Sequence, residues 1–110
     1  MLKLIKGEDK EIFVKFEYED GKVYKLNSVT EIKALFIKDD GTKLEKTQTG
    51  GHIEIVDSTP QNGEIKISLT DADTALIKKG DKQSFEVELH EGTKLSIVQF
   101  KEELQVLTRI

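Results

Sequence analysis

An all-β sandwich is the fold class predicted for this 110-residue chain, and three features predict it. Apolar and polar side chains alternate with a period of two along most of the sequence. Turn signals built on glycine, asparagine and aspartate recur about every ten residues. Helical spacing is confined to one segment, too short to stand alone. Strands with a single apolar face must cover it, and two packed sheets do so. The expectation is one domain over residues 1–110, of about eight to ten short, mostly antiparallel strands, with one helical turn near 71–79.

The first strand is expected at Leu2 to Lys6, broken by Gly7-Glu8-Asp9. In Glu11 to Glu19, Ile12, Val14, Phe16 and Tyr18 share one face, while Phe13, Lys15 and Glu17 share the other. Asp20-Gly21 is a strong hairpin signal, so a return strand is expected at Lys22 to Leu26. Glu31 to Lys38 carries Ile32, Ala34 and Phe36 on one side and Leu35 and Ile37 on the other. Apolar residues on both faces mark a central strand. Asp39-Asp40-Gly41 turns it back through Thr42 to Thr47, and Gly50-Gly51 ends that run.

His52 to Asp57 alternates through Ile53 and Ile55. After Pro60, Asn62 and Gly63 comes Glu64 to Thr70, with Ile65, Ile67 and Leu69 on one face. Thr70 to Gly80 is the helical candidate. Thr70 can cap it, Asp71 and Asp73 suit its positive end, Lys78 and Lys79 its negative end, and Gly80 can stop it. Ala72, Ala75, Leu76 and Lys79 stand at helical spacing, so Leu76 is expected to plug one edge of the core. Ser84 to Glu91 buries Phe85, Val87 and Leu89. Leu95 to Lys101 and Glu102 to Thr108 form two strands, or one strand bent near Glu102-Glu103.

Composition excludes several function classes. With no cysteine, disulfides and thiolate metal sites are impossible. Net charge is -4, and Arg109 is the only arginine among 17 basic residues. Lysines alternate with acids instead of clustering, so nucleic-acid binding is not expected. The longest apolar run, Ala34 to Ile37, cannot span a bilayer, and no membrane contact is expected. The start, MLKLIKGEDKE, lacks the apolar core of a secretory signal, so synthesis in the cytoplasm is expected.

No candidate for chemistry survives the same reading. His52 and His90 are the only histidines, each beside turn residues, and neither has a nucleophile at a recognisable spacing. Asp71-Ala72-Asp73 lacks the further oxygen ligands of a calcium loop, and helix capping accounts for it. Asp20-Gly21 and Asp39-Asp40-Gly41 read as turns. Gly50-Gly51 lacks the lysine and helix of a phosphate loop. The sequence therefore assigns no catalytic residue, no cofactor and no metal ligand. Leu2, Leu4 and Ile5 near one end, with Leu107 and Ile110 near the other, leave two readings open. They close the chain's own sheet, or they form an arm that pairs with a neighbouring subunit.

The order of these features resembles a known family. Ile12-Phe13-Val14-Lys15-Phe16 is followed by Val23-Tyr24-Lys25-Leu26, similar to a Y-x-L segment, and by a strand and D-G turn at Ile32 to Gly41. Asn62-Gly63-Glu64-Ile65-Lys66-Ile67-Ser68-Leu69-Thr70 is similar to the pattern G-x-I-x-[IV]-x-L-T. Asp73-Thr74-Ala75-Leu76 and Gly80 then precede Phe85-Glu86-Val87-Glu88-Leu89. The run, from about Glu11 to Thr108, resembles the immunoglobulin-like domain at the N-terminus of phage baseplate upper proteins and related small phage structural proteins. The resemblance implies an immunoglobulin-like antiparallel β-sandwich without enzymatic activity. It implies a virion structural or accessory protein of tail, baseplate, neck or head decoration. Its partners would be other virion proteins, in many copies of a symmetric particle assembled in a bacterial host. The competing expectation is a carbohydrate-binding or adhesion module, for which two Tyr and no Trp offer few stacking surfaces.

Overall fold

Alternation in the sequence becomes alternation in burial. The computed structural model describes residues 2–17, 20–24, 26–27, 29–56, 63–83, 85–99 and 104–107. Within them the order is β1 (Leu2–Ile5), β2 (Lys10–Lys15), β3 (Glu31–Ile37), β4 (Lys43–Thr47), β5 (Ile53–Ile55) and β6 (Glu64–Leu69). Then come α1 (Asp71–Leu76), β7 (Gly80–Gln83), β8 (Phe85–Glu91), β9 (Lys94–Gln99) and β10 (Leu104–Leu107). In β2, β3, β6 and β8 every second side chain is buried.

The strands form an all-β, sandwich-like fold. One sheet has the order β2-β6-β5 and another the order β4-β3-β8-β9, both antiparallel throughout. A third sheet, β1-β10-β7, contains a parallel pair, Leu2–Ile5 alongside Leu104–Leu107. Ile12, Val14, Ile65, Ile67 and Leu69 from one sheet join Ile32, Ala34, Phe36, Phe85, Val87 and Leu89 from the other in a single core. Leu4 and Val106 add the third sheet to it. Phe36 and Phe85 are directly cross-strand, and their rings stack with centroids 5.2 Å apart. The apolar ends Leu2–Ile5 and Leu104–Leu107 pair with each other within the chain.

Several expectations need correction. The return strand at Lys22 to Leu26 does not form a ladder among the described residues. Val23 makes one bridge to Glu17, and the Tyr24 amide donates to Phe16 O at 3.1 Å. β2 pairs instead with β6, because that ladder sets Ile12 and Val14 against Ile67 and Ile65, while Leu26 buries itself as an end plug. The helix stops at Leu76, short of residue 79. Ile77 is already extended, bridges to Lys38 and is 1% exposed, so burial of its side chain ends the helix. Leu76 is 47% exposed, and it is Ile77 that plugs the core. Gly80 therefore opens β7 instead of capping a helix. The last two expected strands are separate, β9 beside β8 and β10 between β1 and β7. The bend near residues 102–103, and the placements expected for Tyr18, Ser84 and Ile110, lie outside the described residues.

Candidate functional site

The outer face of the β2-β6-β5 sheet is built by the residues that alternation turns away from the core. Register places Phe13 beside Lys66, and Lys66 beside Glu54, in one row across the three strands. Glu11 lies opposite Ser68 in the adjacent row. Phe13 is 55% exposed, on a face otherwise lined mainly by charged side chains. Glu11, Phe13, Glu54, Val56 and Lys66 line a shallow groove of about 220 Å³. The Lys66 ammonium stands 3.5 Å from the Glu54 carboxylate. The groove thus offers an apolar ring edged by two carboxylates and one ammonium. It can hold a side chain or ring from outside, but it contains no nucleophile paired with a base.

The sequence-flagged residues go to other places and other tasks. His52 sits in the turn that carries the chain from β4 to β5, where its amide donates to Thr47 O at 3.1 Å. His90 lies near the end of β8 with Nε2 3.1 Å from Glu88 Oε1. The structure brings neither histidine into the groove. Beside His90, the Tyr24 hydroxyl donates to the Glu91 carboxylate, tying the segment after Gly21 to the end of β8.

Asp73 closes a capping box with Thr70: the Thr70 amide donates to Asp73 Oδ2 at 2.9 Å, and the Asp73 amide donates to Thr70 Oγ1 at 3.2 Å. Its other oxygen is 2.6 Å from the Lys46 ammonium, with both side chains only 11% exposed. Burial pushes the Asp73 carboxyl up, but Lys46 and the Thr70 donors outweigh it and hold the group below its ordinary value. Asp71 receives the Ala72 amide at 2.8 Å, and its own amide donates to Asp9 Oδ1 at 2.7 Å. Thr74, fully buried, donates its hydroxyl to Glu8 O at 2.8 Å and accepts from the Gly7 amide at 3.0 Å. The whole Asp71–Thr74 segment thus fastens α1 to β4 and to the β1–β2 turn. Asp20 and Asp40 accept the amides two residues on, Lys22 and Thr42, each at 2.9 Å. The Thr42 hydroxyl and amide hold the Asp40 carboxyl below its ordinary value. At Gly50 the amide donates to Thr47 Oγ1 at 2.9 Å, completing a turn. Among the described residues no group of three His, Asp or Glu side chains is arranged to hold a metal ion, and no helix is long and apolar enough to cross a membrane.

Sequence reasoning missed the groove. Its one available signal was Phe13 standing between Glu11 and Lys15 on the polar face of an alternating strand. Glu54, Val56 and Lys66 could not have been joined to it without the pairing of β2, β6 and β5. No family model matches the chain, and no curated protein matches it.

Proposed function

We propose that this chain is a non-catalytic structural or accessory module of a phage particle, working through contacts with other proteins of the assembly. The observation that carries the reading is an exposed phenyl ring in a shallow charged groove, on a sheet whose opposite face is packed into the core. Such a surface suits docking, since an apolar ring rimmed by charges gains by being covered and gives a partner its orientation. The strand orders support the immunoglobulin-like part of the reading. The orders β2-β6-β5 and β4-β3-β8-β9 correspond to strands B-E-D and C′-C-F-G of immunoglobulin sandwiches. The resemblance in the Gly63–Thr70 and Asp73–Leu76 segments supports the phage part. The test is mass spectrometry of purified phage particles from the source strain. The protein is expected there in multiple copies, and its consistent absence overturns the reading.

One observation favours a carbohydrate-binding reading as the second choice. Phe13 with Glu11 and Glu54 is a ring beside hydrogen-bonding carboxylates, the elements a sugar site combines. A glycan array separates the two readings: a specific signal abolished by Phe13→Ala selects the second.

A further inference from the structure

The β2 edge of the β2-β6-β5 sheet has no strand beside it among the described residues. In an antiparallel ladder, alternate residues spend both backbone groups on one neighbour, and those between them point the other way. The Phe16 amide donates to Gly63 O at 2.9 Å, which sets the phase: Ile12 and Val14 bond to β6. The other side of β6 agrees, because the Ser68 amide donates to His52 O and Glu64 O accepts from Val56, both toward β5. The N–H and C=O groups of Glu11, Phe13 and Lys15 therefore face outward along the open edge. β1, which could have covered that edge, pairs with β10 in another sheet.

We infer that this edge joins a second copy of the chain, β2 against β2 antiparallel about a two-fold axis through Phe13, making one six-stranded sheet. Backbone phase allows only registers in which the outward residues face one another. With Phe13 opposite Phe13 of the second copy, Glu11 of each copy faces Lys15 of the other. Shifting by one step sets Glu11 against Phe13, and shifting the other way sets Glu11 against Glu17. The centred register alone sets Glu11 against Lys15 and the two exposed rings side by side, and the Asp9–Glu17 pair it would also oppose lies beyond the ends of β2. Glu11 and Lys15 are exposed, and among the described residues Lys15 has a loose ion pair, 3.7 Å, with Glu17. Ile12 and Val14 keep their places in the core, so pairing needs no rearrangement. The edge is also self-complementary, as an isologous interface must be. This inference goes beyond the proposed function, since it holds whether or not the assembly is a virion.

Sedimentation velocity of the full chain, from about 10 μM to about 1 mM, should show a monomer–dimer equilibrium. Glu11→Lys and Lys15→Glu each set like charges face to face, and each should weaken association roughly tenfold or more. Combining the two restores the complement, and the double variant should dimerise like the parent. Phe13→Cys provides a readout of register, because the chain has no other cysteine. Residues opposed at a hydrogen-bonded position have Cα atoms about 5.5 Å apart, within disulfide range. Phe13→Cys should therefore oxidise to a covalent dimer far faster than Lys15→Cys. A chain that stays monomeric throughout, a dimer indifferent to charge reversal, or equal oxidation of the two cysteine variants overturns the inference.

Discussion

At Gly63 the backbone turns with φ +72°, a conformation that favours glycine. A Cβ there would lie 2.6 Å from Tyr24 O and 2.9 Å from Phe16 O. Both obstacles are backbone atoms, so neither can swing aside. The close approach is what lets Phe16 bond to Gly63 and Tyr24 bond to Phe16 at the start of β6. Gly63→Ala combines a strained φ with a backbone collision, and should cost about 3 kcal/mol. The check is the urea unfolding midpoint, with Gly41→Ala as a comparison. Gly41 has φ +85° but open space around it, so its substitution should cost only the conformational part, about 1 kcal/mol. Equal losses at the two glycines would show that crowding at Gly63 carries no weight.

Among the elements, α1 is the least self-sufficient. It spans Asp71–Leu76, too short to hold by propensity, and it survives through its ends. The capping box at Thr70 and Asp73 satisfies the first amides, and the Lys46–Asp73 pair ties the first turn to β4. Folding lowers the Asp73 carboxyl from its ordinary 3.8, so ionisation stabilises the fold above that value. That contribution is lost as pH falls through the lowered value of the folded state. Asp73→Asn should cost about 2 kcal/mol at pH 7, because it leaves the shielded Lys46 ammonium without its counter-charge. The gap between parent and Asp73→Asn should then narrow on acidification. Urea midpoints taken from about pH 7 to about pH 2 read this directly. Two curves that stay parallel would count against the ion pair as the source.

Across the whole molecule, stability rests on the apolar layer between sheets. Phe36 is 1% exposed, stacks on Phe85 and stands mid-sheet on β3, flanked by β4 and β8. Phe36→Ala should cost about 3–5 kcal/mol, a large share of the roughly 5–15 kcal/mol a domain possesses. Thermal melts followed by circular dichroism should show a strongly lowered or lost cooperative transition. Phe13→Ala, on the opposite side of the sandwich, should leave the melt nearly unchanged, since its ring is already 55% exposed. The contrast separates the phenyl ring that holds the fold from the one available for contact.

Much of this was legible in the residues themselves. The two-residue period decided which side chains of β2, β3, β6 and β8 are buried, because side-chain direction in a strand follows from backbone geometry alone. Thr70 and Asp73 announced the helix start for the same local reason. Pairing partners were another matter. Asp20-Gly21 announced a hairpin, and the chain does turn back there as far as the Glu17–Val23 bridge, yet the long ladder of β2 is with β6, about fifty residues on, which buries Ile12 and Val14 against Ile65 and Ile67. The helix end moved to Leu76 because Ile77 had a core site to fill. The groove of Phe13, Glu54 and Lys66 and the open edge of β2 also came from the tertiary structure alone. Both depend on which strands become neighbours, and that choice is made by the summed burial of the entire core, which no local pattern encodes.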